Sequence, residues 1–281
     1  MRPLPMGILD ISEEEYRALP AANFSTIKHG LKSAAHMRAA MEAKHEPSAA
    51  MRLGSLLDCA LFRPAQVEAR FAVAPEVDRR TKEGKAAYAE FEAKAAGRIL
   101  VDRETVAKAQ AMVAMVEKSA TAKALTRAGN FQRAVVWTDE ATGAPCKALL
   151  DSVTPGVTIT DLKTTSSGAG WREFSRTVAA FSYHMQAAFY VDGWKACTGE
   201  ELPYTFIVVE SSEPYATAVY RLDAAAIEVG RRSYRYCLEL YEKCQASGEW
   251  PGYPDELATL ELPKWCQAPG APVLDGLDSP F

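Results

Sequence analysis

The chain has 281 residues, of which 48% are hydrophobic and 24% are charged, a balance typical of a globular protein with a sizeable core. Its formal net charge of −4 argues against a protein that coats nucleic acid non-specifically, although a local basic patch remains compatible with it. Its six cysteines are dispersed without a C-x-x-C pair, and neither a signal-like N-terminus nor a long apolar span is evident, so we predict a reduced, cytoplasmic chain with no membrane segment.

Residues 1 to 50 are predicted to be an N-terminal helical segment that packs on the core. The acids of ISEEEYRAL favour a first helical turn. Ser25 is the predicted N-cap of a following helix that runs through Leu31 and Ala35. We interpret Ser33 and His36 as capping and packing residues.

Residues 51 to 62, MRLGSLLDCALF, predict a helix that is apolar around most of its circumference. Asp58 is its single acid, and Gly54 lies one turn earlier on the same face. Because an unpaired buried carboxylate is costly, Asp58 either lies at a water-exposed edge or binds a ligand.

A charged stretch and an amphipathic stretch come next in the chain. The basic residues between 79 and 85 indicate a solvated face, with phosphate contact as the alternative. Apolar residues recur on one side of residues 102 to 128, which predicts a core-facing helix. Residues 131 to 138, FQRAVVWT, then predict a strand.

The stretch CKALLDSVTPGVTITDLKTT, residues 146 to 165, predicts a β-hairpin. With the turn centred on Gly156, Asp151 and Asp161 fall directly opposite each other, and Lys163 shares a face with Asp161. Like charges repel across a ladder unless a cation lies between them, so the pattern predicts a Mg²⁺ or Mn²⁺ site. Lys163 would orient a water or neutralise charge on a phosphate there. A surface hairpin with scattered charges is the alternative.

Residues 171 to 195 predict one helix, with Tyr183, Gln186 and Tyr190 on one face. Such a stripe either hydrogen-bonds phosphate or the DNA backbone, or packs its aromatic rings in the core. Residues 204 to 210 and 215 to 222 predict two further strands, the first of them central in the sheet.

The C-terminal part of the chain predicts a long helix over residues 223 to 246. Arg231, Arg232 and Arg235 cluster on its outward side, as a DNA contact or as a solvated face. Residues 268 to 281 lie in a segment rich in proline, glycine and aspartate, which predicts a mobile tail.

These motifs together resemble the PD-(D/E)XK nuclease superfamily, in its RecE-type (exonuclease VIII) and RecB-type branch. Asp151 stands ten residues before the Asp161-Leu162-Lys163 motif, and Gln186 with Tyr190 matches the Q-x-x-x-Y element of that branch. WPGY, residues 250 to 253, is similar to the end of the RecE-type nuclease domain. The resemblance covers most of the chain and implies a nuclease-like domain over residues 51 to 267.

The resemblance implies an α/β (α+β) fold with a mixed central β-sheet flanked by helices, which the order of the predicted elements supports. It implies a Mg²⁺-dependent deoxyribonuclease, specifically an exonuclease that degrades linear duplex DNA in recombination of phage or prophage type. Asp151, Asp161 and Lys163 would be catalytic, and Asp58 would join the two aspartates in holding Mg²⁺ or Mn²⁺. The predicted DNA contacts are Thr164, Thr165, Tyr183, Gln186, Tyr190, Arg231 and Arg235.

Three positions depart from the pattern of the branch. Asp58 stands where relatives carry a metal-binding histidine, Gln132 lies near the position of a glutamate, and Leu149 lies near that of an arginine. These departures support the alternative of a catalytically impaired DNA-binding or assembly module, and an endonuclease is a third possibility. Relatives of the exonuclease VIII type form ring-shaped tetramers and work with a single-strand annealing protein, so the resemblance implies both.

Overall fold

A computed structural model gives the structure of residues 4–43 and 46–262. The predicted tail at 268 to 281 and Cys266 lie outside these residues. The strands are β1 Gly7–Leu9, β2 Phe71–Val73, β3 Ile99–Val101, β4 Asn130–Thr138, β5 Pro145–Thr154, β6 Thr158–Thr165, β7 Tyr204–Glu210 and β8 Thr217–Arg221. The α-helices are α1 Glu13–Ala18, α2 Phe24–Ile27, α3 Ala34–Glu42, α4 Ala49–Phe62, α5 Val67–Arg70, α6 Lys82–Lys94, α7 Arg103–Lys118, α8 Ala120–Arg127, α9 Trp171–Ala180, α10 Tyr183–Thr198 and α11 Ala224–Ser247.

One mixed sheet organises the described residues, with the strand order β1-β4-β5-β6-β7-β8. All neighbouring strands in it are antiparallel except β6 and β7, which are parallel. A short parallel pair, β2 and β3, forms a separate sheet. The predicted fold class, a mixed sheet flanked by helices, is confirmed.

Helices cover both faces of the sheet, and β7 shows this most clearly. Phe206 and Val208 pack in the cluster that contains residues of α2, α10 and α11. Ile207 and Val209 pack in the other cluster, with residues of α4, α7 and α8. Every residue of β7 except Glu210 is buried, as predicted for a central strand whose two faces are both covered.

A buried lysine attaches the N-terminal segment to the sheet. Lys147 on β5 is 4% exposed, and its Nζ donates hydrogen bonds to the carbonyl oxygens of Tyr16 (2.9 Å), Arg17 (3.0 Å) and Leu19 (2.7 Å). These carbonyls end helix α1, where a positive charge is favourable. Burial nevertheless lowers the pKa of Lys147 to about 8.

The first fifty residues contain a break that the sequence interpretation missed. The prediction of Ser25 as an N-cap was wrong, because the Asn23 side chain caps α2 by accepting from the backbone of Thr26. A 3₁₀ turn, Lys28–Leu31, follows, and Ser33 then caps the separate helix α3 by accepting from the backbone of His36. Two competing cap residues therefore divide one expected helix into two.

The single helix predicted over residues 171 to 195 is also wrong. Helix α9 ends at Ala180, and Ser182 adopts a left-handed φ of 58° before α10 begins at Tyr183. This conformation is uncommon outside glycine and asparagine, and it changes the direction of the chain. The face of α10 that carries Gln186 thereby reaches the sheet beside Asp161.

Other predicted elements agree with the structure. The helix over residues 51 to 62 and the strand at 204 to 210 are confirmed. The core-facing stripe on residues 102 to 128 is also confirmed, but the single helix predicted there is wrong, because α7 ends before Ser119 and the Ser119 side chain caps α8. Four of the five cysteines in the described ranges are buried, as expected of core-filling side chains. None of the helices in that part of the chain is long and apolar enough to cross a bilayer.

Candidate active site

The site lies where the β5–β6 ladder opens. The paired residues of the two strands are Thr154↔Thr158, Val153↔Ile159 and Ser152↔Thr160. If this register is continued by one pair, Asp151 lies opposite Asp161, as the sequence predicts. Beyond Thr160, β6 stays paired with β7 as far as Thr165. The backbone N–H of Leu162 donates instead to the Asp151 carboxylate, 3.0 Å from Oδ2. A hydrogen bond to a side chain thus replaces the backbone hydrogen bonds between β5 and β6 here, and a cleft opens between the two strands.

Asp161 and Lys163 form an ion pair on β6. Asp161 is 2% exposed, and its Oδ1 accepts a hydrogen bond from Nε2 of Gln186 at 3.1 Å. Lys163 Nζ contacts Oδ2 as an ion pair, but the angles do not make a hydrogen bond, so Oδ2 accepts none. Lys163 also lies 4.7 Å from the ring centroid of Tyr183. Asp161, which lines the cleft, therefore has a buried acidic oxygen with spare accepting capacity.

The carboxylates repel one another in this low-dielectric setting. Burial raises the pKa of Asp151 well above its ordinary value, and the charges of Asp161 and Asp58 raise it further. Burial opposes the charge of Lys163, but Asp161 and Asp151 outweigh it and raise the pKa of this lysine. The ammonium therefore stays protonated, and it only partly offsets the negative charge.

Asp58 approaches the same cleft from helix α4, on the opposite wall. Its Oδ2 accepts a hydrogen bond from the Arg63 guanidinium at 2.7 Å, and Gln132 Nε2 lies 3.4 and 3.5 Å from the two oxygens. Burial raises the pKa of Asp58, and Arg63 opposes that rise. Gly54 lines the cleft one turn before Asp58, as its spacing predicts.

Gln132 reaches Asp58 from an irregular point of β4. It has a left-handed φ of 50°, and the recorded β4–β5 pairing passes from Phe131↔Ser152 to Arg133↔Leu150 without it. The residue that it would oppose is Asp151. Strained backbone of this kind is concentrated at functional sites. Here it places the side-chain amide of Gln132 beside the Asp58 carboxylate.

The cleft has a volume of about 580 Å³. Leu149, Thr164 and Tyr183 lie on its walls, together with the acids and Lys163. Thr164 also borders a neighbouring cavity of about 430 Å³, which Thr165 lines. The predicted residues Thr164 and Tyr183 therefore line the same cleft as the acids, whereas Thr165 lines only the neighbouring cavity.

Tyr190 lies deeper than Gln186. It is packed against the main core, it lies one turn after Gln186 on α10, and it is absent from the residues that line the cleft. The Q-x-x-x-Y element thus connects the core to Asp161 through one amide. Contact of Gln186 or Tyr190 with DNA stays a prediction.

The two predicted arginine contacts lie elsewhere. Arg231 donates from Nε and a terminal nitrogen to Asp192, at 2.7 and 2.8 Å, and Tyr234 donates to the same carboxylate at 2.6 Å. Arg231 and Arg235 border another cavity, of about 790 Å³. The outward arrangement predicted for Arg231 is wrong, because its guanidinium is engaged by Asp192 and Glu228.

The structure adds basic residues that sequence analysis did not select. Arg63 and Arg70 both line the cleft, and Arg70 pairs with Glu13 of α1 at 2.8 Å. Arg63 is five residues beyond Asp58, a spacing that does not make helical neighbours. The two meet because α4 ends at Phe62 and Arg63 leaves the helical conformation, with φ −144°. No local sequence signal marks this contact.

Two acids of the cleft have the oxygen ligands that a divalent cation requires. Asp151 and Asp161 offer the hard oxygen donors that Mg²⁺ and Mn²⁺ prefer, and Asp161 Oδ2 accepts no hydrogen bond. These two residues fit. Within residues 4–43 and 46–262, no three His, Cys, Asp or Glu side chains are grouped closely enough to hold one metal ion, and Asp58 is engaged by Arg63 and Gln132.

Comparisons with known proteins concern the family and the fold of the chain. The profile of a family described as a PDDEXK-like domain of unknown function (DUF3799) matches residues 23–263. The crystal structure of a protein described as a candidate exonuclease, from Eubacterium rectale, has a TM-score of 0.59 at 17% identity and covers 91% of this chain and 96% of its own. The crystal structure of SSO0001 covers 75% of this chain and 85% of its own, at 13% identity and a TM-score of 0.28. No curated protein matches the sequence.

Proposed function

The chain belongs to the family of PDDEXK-like domains of unknown function (DUF3799), and we propose that it is a metal-dependent deoxyribonuclease. Membership of a PD-(D/E)XK-like family supports a nuclease. The observation that carries the proposal is the grouping of Asp151, Asp161 and Lys163 at the opening of the β5–β6 ladder. One buried acid, one half-buried acid and one ammonium at a cleft are an arrangement suited to a phosphodiester.

Each residue has a distinct part in the proposed reaction. Asp151 and Asp161 would hold Mg²⁺ or Mn²⁺, which when bound supplies an activated water and offsets charge on the scissile phosphate. Lys163 is fixed by Asp161 and by the Tyr183 ring, so its ammonium can orient the attacking water and stabilise negative charge that develops on the phosphate. Gln186 holds the Asp161 carboxylate in position.

The substrate in this proposal is duplex DNA with a free end. Support comes from the sequence resemblance to RecE-type exonucleases and from the description of the Eubacterium rectale neighbour as a candidate exonuclease. The biological setting is recombination of phage or prophage type, with a single-strand annealing protein as partner and a ring tetramer as the assembly. The free thiols of the described cysteines support a reducing, cytoplasmic location.

The test is digestion of end-labelled linear duplex DNA and of closed circular DNA with Mg²⁺, Mn²⁺ or a chelator. We expect metal-dependent loss of the linear DNA alone, abolished in Lys163→Ala. Lys195→Ala is the matched control, because Lys195 pairs with Glu201 and borders the other cavity. Loss of circular DNA as well would identify an endonuclease, and the absence of cleavage with either metal would contradict a nuclease.

A second candidate, a DNA-binding or assembly module of the same fold, is favoured by one observation. Asp58 is engaged by Arg63 and Gln132 and is not free to bind a ligand. This reading predicts retained affinity for duplex DNA without metal-dependent cleavage. Cleavage that is lost in Asp161→Ala would exclude it.

A further inference from the structure

The cleft divides its charges into two groups on opposite walls. On the sheet side, Asp151 and Asp161 share Lys163. On the helix side, Asp58 is paired with Arg63. These two groups contain three carboxylates and two cations, and at the rim Glu13 pairs with both Arg70 and Arg17. Within the two groups, one negative charge is therefore uncompensated.

The helix-side pair is shielded from water. The side chains of Arg63 and Asp58 are 15% and 16% exposed, and Arg63 Nε has no hydrogen-bond partner. A guanidinium cannot lose its proton in a protein. If Asp58 bound a metal ion instead, Arg63 would be left nearly buried with none of its three guanidinium nitrogens paired to a carboxylate, which is strongly unfavourable.

The local backbone keeps Arg63 in this position. Arg63 is the C-cap residue of α4, with its N–H bonded to the Cys59 carbonyl at 2.8 Å, and Pro64 starts a 3₁₀ turn directly after it. The guanidinium near a helix C-terminus is also favoured by the helix dipole. Gln132 adds amide hydrogens on the Asp58 oxygens, so both of these oxygens face donors.

We infer that Arg63 occupies the electrostatic role of a second cation, so that the site binds a single divalent ion at Asp151 and Asp161 and Asp58 serves as the partner of Arg63. This inference rests on the proposed metal-dependent function. One divalent cation would turn the uncompensated charge from −1 to +1, which matches the single charge of a phosphodiester. Two would leave an excess of +3 facing it.

The inference is tested by counting bound Mn²⁺ with electron paramagnetic resonance and titration calorimetry. The full chain is measured alone and with a duplex oligonucleotide whose phosphorothioate linkages resist cleavage. We expect one Mn²⁺ in both states. Asp58→Asn should keep that ion with a Kd within about threefold, whereas Asp151→Asn should weaken it at least about tenfold, because it removes a direct ligand.

Arg63→Met tests the arginine itself. Freed from its guanidinium, Asp58 should bind a second, weaker Mn²⁺, whereas the control Arg70→Met, whose guanidinium pairs with Glu13, should still bind one. Thermal unfolding is measured first, since Arg63→Met leaves a buried carboxylate without its partner. If that variant does not fold, Asp58→Asn decides.

The outcomes separate this inference from the proposed function. Two Mn²⁺ ions in the wild-type chain, a Kd for Asp58→Asn raised more than about tenfold, or unchanged binding in a folded Arg63→Met would overturn the role of Arg63. If DNA is still cleaved, the nuclease function stands. Absence of both Mn²⁺ binding and cleavage would contradict the nuclease function and the role of Arg63 together.

Discussion

Helix α10 borders two cavities that contain similar side chains but differ in how their carboxylates are hydrogen-bonded. In one cavity, Gln186 donates a hydrogen bond to Asp161, which also forms an ion pair with Lys163. Asp151 and Asp58 lie nearby. On the other side, Asp192 accepts two hydrogen bonds from Arg231 and one from Tyr234. The Asp192 carboxylate is held by three hydrogen bonds, whereas Asp161 Oδ2 accepts none and two further carboxylates act on the same cleft. Four acids and three bases line each cavity, so the hydrogen bonding of the carboxylates, and not the net charge, distinguishes the candidate site.

The largest expected effect is on the cleft side. Asp161→Asn keeps the size of the side chain but removes a charge that both the metal and Lys163 need, so cleavage of linear duplex DNA should fall at least about 1000-fold. The matched change on the other side, Asp192→Asn, should leave the cleavage rate within about threefold. Rates measured on end-labelled DNA compare the two, and equal losses would contradict the proposed division between the cavities.

The Asp192 cluster is expected to affect the stability of the protein and not its activity. Arg231→Met removes the bidentate partner of Asp192, whose side chain is 17% exposed, and should lower the free energy of unfolding by about 3 kcal/mol. Cleavage per folded molecule should not change. Urea unfolding followed by circular dichroism measures the loss. A variant as stable as the wild type would show that the Asp192 cluster does not stabilise the α10–α11 packing.

A smaller effect is expected for the amide that supports the site. Gln186→Met removes the hydrogen bond to Asp161 Oδ1 and should reduce cleavage about 10- to 100-fold, as is typical for partners of metal ligands. The Mn²⁺ affinity should fall with it. Tyr190→Phe is a useful companion, since it removes only the hydroxyl of a residue that lies one turn from Gln186 and does not line the cleft, and a loss as large as that of Gln186→Met would contradict an effect limited to the amide.

The smallest effect concerns pH and the attachment of the N-terminal segment. Burial lowers the pKa of Lys147 to about 8, whereas the unfolded chain keeps this proton up to its ordinary value near 10.4. The unfolded state therefore binds more protons between these values, and this group makes the fold more stable as pH rises through that window. Urea unfolding at pH 7.5 and 9.5 should show this increment in the wild type but not in Lys147→Gln.

Sequence alone determined the centre of the molecule. The alternation of residues 146 to 165 and one turn signal were sufficient to set Asp151 opposite Asp161 with Lys163 on the same face, because strand periodicity and hairpin register are local properties. The same holds for the helix that contains Asp58 and for the central strand at 204 to 210. Helix α10 was predicted in type but not in its start, since Ser182 carries no signal for a left-handed turn.

Only the tertiary structure decided which charges meet. Asp58 and Arg63 are brought together by the end of a helix, Gln132 by an irregular strand residue 74 positions away from Asp58, and Arg231 is matched with Asp192 by the packing of α11 on α10. Lys147 finds its three carbonyl partners about 130 residues earlier in the chain. Periodicity shows which face of an element a side chain occupies, but the identity of an ionic partner depends on how distant elements pack, because charges pair through space and not along the chain.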